Sequence, residues 1–143
     1  MIEKSCERIQ EDFLEADGEL VIHNGKPFTG FGFDPFPNGH GVEYETEYRN
    51  GLPHGLKRKW YESGQLEYEI SCINGVKHGE ERHWFASGAI KLIANYEYGV
   101  KIESKAWSDD GELVGEFIIS PSSANFSLLQ KRREKGWNVS SLE

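Results

Sequence analysis

From Val42 onward, apolar and polar residues change places with a period of two. Leu66, Tyr68, Ile70 and Cys72 alternate with Glu67, Glu69 and Ser71; Val42, Tyr44, Thr46 and Tyr48 alternate with Glu43, Glu45 and Glu47. Ile90, Leu92, Ala94 and Tyr96 keep the rhythm further on. Successive side chains leave a strand on opposite faces, so this period marks half-buried β-strands. Asn50-Gly51 and Asn74-Gly75 interrupt the alternation with residues that tolerate the positive φ of a tight hairpin turn. Glu62-Ser63-Gly64 reads as a three-residue loop with Gly64 left-handed. The pattern predicts consecutive antiparallel strands over 42–48, 55–61, 66–72, 79–85, 90–96 and 102–107.

The alternation is nested in a longer period. Asn50-Gly51-Leu52-Pro53-His54-Gly55 leads through a charged run to Trp60-Tyr61-Glu62-Ser63-Gly64-Gln65-Leu66. Asn74-Gly75-Val76-Lys77-His78-Gly79 leads likewise to Trp84-Phe85-Ala86-Ser87-Gly88-Ala89-Ile90, and Tyr98-Gly99-Val100 opens a degraded copy that reaches Trp107. Such a spacing is the mark of a repeat architecture. The fold expected is mainly β: an elongated antiparallel meander of hairpin repeats.

These residues resemble the MORN-variant repeats of bacterial antitoxin or immunity proteins. The likeness covers residues 17–118: Asp17-Gly18-Glu19-Leu20 parallels Asp110-Gly111-Glu112-Leu113, and Phe28-Thr29-Gly30 is similar to the family's first repeat. The resemblance implies a binder that occludes a cognate protein toxin; the alternative is a structural or membrane-associated interaction scaffold of MORN type. Residues 1–143 are expected to form one repeat domain, with 1–16 as an N-terminal segment and 119–143 as a C-terminal helical cap.

The three-residue loop sets an expected register: Tyr61 opposite Gln65, Trp60 opposite Leu66, Lys59 opposite Glu67. One face then collects Val42, Tyr44, Trp60, Leu66, Tyr68, Ile70, Trp84, Ile90, Leu92 and Trp107. The other collects Glu43, Glu45, Glu47, Lys57, Lys59, Glu67 and Glu69. Residues 1–16 carry few apolar anchors, and read equally as a short helix on Ile9, Phe13 and Leu14 or as a frayed end. Phe31 to Gly41, with two prolines, reads as a loop with short strand edges. Pro121-Ser122-Ser123 opens a helix near 122–135, with Phe126, Leu129 and Arg133 at helical spacing and Gly136 as its stop. This helix is expected to cover the open end of the sheet, with Trp137 packed beside it.

Composition narrows the chemistry. Aromatic residues make up 13% of the chain, which suits a thin sheet where each side chain must cover much surface. Two cysteines allow neither a disulfide framework nor a Cys-rich metal site. No apolar run approaches a membrane span and no apolar leader opens the chain, so a cytoplasmic location is expected. His54 and His78 occupy matching repeat positions and belong to the turns; no His, Cys or carboxylate set has ligand spacing. Glu80-Glu81 and Asp109-Asp110 are neighbours, which in a strand point apart and make poor acid/base pairs. No catalytic constellation, metal site or cofactor motif is found.

The net charge is −8, and residues 1–50 hold four Lys/Arg against eleven Asp/Glu. Such a field repels nucleic acid and anionic membrane and steers a basic partner, such as a nuclease- or deaminase-like toxin. The candidate partner-binding residues are Glu43, Glu45 and Glu47, with Tyr61 and Phe85 beside them as aromatic anchors. Phe31, Phe33 and Phe36 are a second set: exposed, they anchor a partner; buried, they plug the N-terminal end of the sheet.

Overall fold

The computed structural model describes residues 7–135. The elements are β1 (Arg8–Gln10), β2 (Glu15–Asp17), β3 (Leu20–His23), β4 (Lys26–Pro27), β5 (Gly30–Pro35), β6 (Val42–Arg49) and β7 (Leu52–Trp60). They continue as β8 (Leu66–Ile73), β9 (Val76–Trp84), β10 (Ile90–Glu97), β11 (Val100–Trp107), β12 (Leu113–Ile118) and the helix α1 (Ala124–Glu134). Nine strands form one sheet in the order β1-β5-β6-β7-β8-β9-β10-β11-β12, antiparallel except for the parallel β1–β5 pair. Strands β2 to β4 form a small sheet of their own. The predicted meander and its C-terminal helix are both present.

Each two-residue turn has both residues at positive φ: Asn50 at 49° and Gly51 at 85°, Asn74 at 40° and Gly75 at 85°. Tyr98 takes the asparagine's place at 50° ahead of Gly99 at 81°. A tyrosine is uncommon in that conformation, and its neighbour in the preceding unit holds it there. The His78 ring packs 4.8 Å from the Tyr98 ring, and His78 Nδ1 accepts the Tyr98 N–H at 2.9 Å. His54 Nδ1 accepts the Asn74 N–H at 3.3 Å, and Thr29 Oγ1 accepts the Asn50 N–H at 3.0 Å. The turn glycines also donate backward: Gly51 to the Phe28 carbonyl (2.8 Å), Gly75 to Pro53 (2.8 Å) and Gly99 to Lys77 (2.7 Å). Phe28-Thr29, Pro53-His54 and Lys77-His78 thus perform one task, a carbonyl and a side-chain acceptor that clamp the next turn.

The register departs from expectation at a point that recurs beside the Ser-Gly loops, and it also shifts near the two-residue turns, at Thr46/Tyr48, Ile70/Cys72 and Asn95/Tyr96. Trp60 does face Leu66, and the Tyr61 N–H donates to the Gln65 carbonyl at 2.9 Å, but Lys59 faces Tyr68. Glu67 is left out of the ladder as a bulge. Glu43, Lys91 and Val114 are left out at the matching places in β6, β10 and β12. Each bulge shifts side-chain alternation by one residue. The tryptophans therefore share the face of Arg58, Arg82 and Lys105, not that of Tyr44, Tyr68 and Ile70. Likewise Lys57 and Lys59 share the face of Tyr68 and Ile70 rather than lying among the glutamates.

Three further expectations are corrected. Gly30–Pro35 is a six-residue strand rather than a loop, because Pro35 sits at its last position, past the bulge. In the described part of the N-terminal segment Arg8–Gln10 pairs with Phe31–Phe33 and one 3-10 turn follows at Glu11–Phe13, so the stretch holding Ile9 and Phe13 is neither an α-helix nor a frayed end; residues 1–6 lie outside the described residues. Helix α1, N-capped by Ser123 through the Phe126 N–H at 3.1 Å, does not lie along the outer edge of β12. Its Leu129 and Phe126 pack with Val100, Ile119, Tyr98 and Ile102, and Arg133 grips Glu97 at 2.6 Å, so it covers the β10–β11 turn. Gly136 and Trp137 lie outside the described residues. At the other end Phe28, 2% exposed, packs on Tyr48, whose hydroxyl donates to Glu11 at 2.9 Å.

Replacing His54 or His78 by Ala removes the acceptor for a turn N–H. Each variant should lose about 1 kcal/mol of stability, and more if the amide stays dry. Urea unfolding midpoints with an unchanged m-value check this; an unshifted midpoint would show that water replaces the imidazole at no cost.

Candidate functional site

The bulges give the large sheet two faces of different chemistry. On the first, cross-strand rows run Tyr44–Lys59–Tyr68–His83–Leu92 and Thr46–Lys57–Ile70–Glu81–Ala94. Lys59 lies 5.2 Å from the Tyr44 ring and bonds the bulged Glu67 at 2.9 Å. Tyr68 and His83 pack at 5.5 Å. Glu81 is only 6% exposed and is held by Lys77 at 2.9 Å and His83 at 2.8 Å. Burial pushes the Glu81 carboxyl up, but the bonds from His83 and Lys77 outweigh it and hold the group at about 2. Burial likewise pushes up the thiol of Cys72 on this face.

On the second face one row reads Phe33–Glu45–Arg58–Glu69–Arg82–Ile93–Lys105–Glu116. From Glu45 to Arg82 it is a ladder of alternating charge, with Arg58 bound to Glu69 at 2.8 Å and Arg8 of β1 bound to Glu45; the apolar Ile93 then separates it from the Lys105–Glu116 pair. Opposite charges across strands each contribute roughly 0.2–1 kcal/mol. Beside it runs an apolar row: Val42 against Pro35, Trp60 against Leu66, Trp84 against Ile90, Trp107 against Leu113.

The residues singled out from the sequence are distributed over both faces. Glu45 is engaged by Arg8, whose guanidinium also lies 4.8 Å from the Phe33 ring. Glu47 Oε2 accepts the Leu56 N–H at 3.4 Å and lies against Gly55, where a Cβ would collide with it. Glu43 is a bulge residue and breaks the expected strip of three. Phe31 stands beside Arg8 and Glu47 in the sheet. Phe85 packs over Lys91, the counterpart of Glu67, and so belongs to the other side from Glu45 and Glu47. Tyr61 donates its hydroxyl to the Trp84 carbonyl at 2.8 Å. Phe36, 6% exposed, and Tyr61 come together with His40, Val42, Trp60 and Glu62 around a shallow groove of about 220 Å³.

Sequence reading missed two features. The cluster of Lys77 and His83 around the buried Glu81 has only a weak signal, the two-residue spacing of Glu81 and His83. A second groove, about 260 Å³, opens on the second face where β10 to β12 meet. Its signal is the apolar content of Leu113-Val114-Gly115-Glu116-Phe117-Ile118, in the last strand among the described residues. Among the described residues no three His, Cys, Asp or Glu side chains gather as a metal site, and no helix is long and apolar enough to cross a membrane.

Comparison with known proteins sets these surfaces in context. The model of the MORN repeat variant matches residues 53–74 and 77–98, which are the β7–β8 and β9–β10 hairpins with their turns. The chain is 47% identical over 116 residues to the immunity protein YwqK of Bacillus subtilis (strain 168), covering 81% of this chain and 75% of that protein. No solved structure is a significant match.

The Glu81 cluster has a pH signature. A carboxyl held at about 2 in the fold against an ordinary 4.5 contributes stability that is full above 4.5 and is lost as pH falls toward 2. Glu81→Gln should therefore be clearly less stable than wild type at neutral pH, and the gap should close on acidification through that window. Urea titrations along a pH series check it; a constant gap would mean that the carboxylate charge is not what stabilises the cluster.

Proposed function

Because this chain belongs to the MORN-variant repeat family of immunity proteins, we propose that it binds a cognate bacterial toxin and neutralises it by covering its working surface, sterically and electrostatically. The observation that carries the reading is the 47% identity, which spans the repeats and not merely one hairpin. The physical character of the sheet supports it. Units clamped turn to turn give a preorganised surface, and binding then loses little conformational entropy. The acidic N-terminal part supplies long-range attraction for a basic, nuclease- or deaminase-like toxin, acting on the encounter rate more than on final affinity.

The protein acts here as a non-catalytic binder that needs no cofactor. It works in the cytoplasm, where Cys72 stays a buried thiol. Of the aromatic groups singled out, Tyr61 beside its groove and Phe85 over Lys91 supply contact area, while Glu45 and Glu47 act through the field they share with Arg8 and Arg58. An anionic membrane or nucleic acid is a poor partner for a chain of net charge −8.

The test is co-expression with the reading frame adjacent to this protein's gene. Expressed alone, that frame should arrest growth; with this protein present, growth should return and the two products should copurify. Association should slow by about tenfold or more between low and moderate salt if electrostatic steering contributes. A neighbouring product that is harmless, or toxicity that this protein leaves untouched, removes the proposal.

A further inference from the structure

The last strand of the sheet is unlike the first. Strand β1 is three residues long and pairs in parallel, and its Arg8 is tied to Glu45. Such edges resist further pairing, because short length and charge deny a neighbour a continuous template. Strand β12 has six residues and is last in the sheet order, and α1 packs on the β10–β11 turn instead of along its edge. Leu113, Val114, Phe117 and Ile118 of β12 are 52%, 66%, 41% and 69% exposed. Among the described residues nothing pairs with the outer edge of β12, and an apolar strand with an open row of backbone donors and acceptors is what β-strand addition uses.

The charge ladder says what kind of strand belongs there. Along the second face the row alternates in charge from Glu45 to Arg82, passes the apolar Ile93, and resumes with Lys105 against Glu116, which is exposed. A tenth strand is favoured when it sets a cation opposite Glu116, as Lys105 does on the other side. On the same face Ile118, two residues along, and Leu113, opposite Trp107, ask for apolar partners, and the groove of about 260 Å³ beside them accepts side chains against Ile93, Lys105 and Trp107. Asp109, Asp110 and Glu112 in the adjoining loop strengthen the demand for positive charge.

We propose that β12 is a docking edge for an extended segment of a partner protein, a strand with a Lys or Arg between apolar residues. The identification of that partner as the toxin rests on the immunity reading above; the edge chemistry does not. A second copy of this chain fits poorly, since Leu113–Ile118 contains no cation to set against Glu116 in any register. The chain's own residues 136–143, Gly-Trp-Asn-Val-Ser-Ser-Leu-Glu, contain none either.

The experiment uses the full-length protein and a cyclic β-hairpin peptide whose free edge reads Val-Thr-Lys-Thr-Val, with a twin carrying Glu in place of Lys. Amide spectra titrated with each peptide locate and measure binding. The lysine hairpin should bind about tenfold more tightly than its twin, an electrostatic preference of the size expected for one well-placed pair. Perturbed amides should cluster on β12 and leave β1 unaffected, and Glu116→Lys should reverse the preference. If Glu116→Lys folds poorly against Lys105, Ile118→Lys, at the most exposed apolar position among those four and on the same face as Glu116, supplies the reversal.

Equal binding of the two hairpins, shifts centred on β1, or no binding overturns the proposal. So does wild-type dimerisation through β12 in sedimentation, which would make a second copy the occupant. Binding that appears only in a chain shortened to residues 1–135 would assign the edge to the chain's own tail. No toxin is used, so failure here leaves the rescue assay to stand or fall separately.

Discussion

Everything in the large sheet depends on the clamp that each unit places on the next turn. A two-residue turn with both φ values positive leaves its N–H groups pointing away from its own hairpin. Here Gly51, Gly75 and Gly99 donate to carbonyls of the preceding unit, and Asn50, Asn74 and Tyr98 donate to Thr29, His54 and His78. Orphaned backbone donors are costly, so this satisfaction couples each hairpin to its neighbour in one direction along the chain. In a single-layer repeat protein, where stability is a sum of unit and nearest-neighbour contributions, such a coupling is the interface term. It also explains why a tyrosine can occupy a left-handed turn position: the His78 ring and acceptor hold it.

A second constraint works at the opposite ends of the strands. One residue per hairpin is squeezed out of the ladder, at Glu43, Glu67, Lys91 and Val114. The extra residue reverses alternation between the strand end and its centre. As a result tryptophans share a face with the cations Arg58, Arg82 and Lys105, while tyrosines and the cluster around the buried Glu81 occupy the other. Neither face is a continuous oily surface, which is how a sheet without a covering layer avoids presenting a large apolar patch. The two ends are finished differently. Phe28, Tyr48 and Glu11 close the first, and Ile119 donates to the Ile102 carbonyl at 2.8 Å to turn the chain out of the sheet into α1.

These features bear on binding. A rigid sheet whose faces are already occupied by internal ion pairs offers fewer free charges than its composition promises. Glu45 and Glu47 illustrate this, since both are engaged within the protein. Acidic character then acts at long range, whereas short-range recognition needs surfaces whose chemistry is not yet satisfied. The groove beside Phe36 and Tyr61 and the open strand β12 are two such places.

The sequence by itself determined the repeat, the strands and the turns. Period-two alternation, Asn-Gly pairs and Ser-Gly loops are local signals, and local sterics act on them directly. Hence strands 42–48 and 66–72 lie almost where the pattern put them, and Ser123 caps the helix it was expected to open. Side-chain facing was decided only in the tertiary structure. A bulge has no residue signature here, because Glu43, Glu67, Lys91 and Val114 share no chemistry; the ladder of the neighbouring strand selects them. The strand role of Gly30–Pro35 also needed a partner: β1 comes from a segment with little pattern of its own and supplies the parallel edge. The helix's place followed from where Val100 and Ile119 leave apolar surface uncovered, a property of two segments meeting across the sheet and of neither alone.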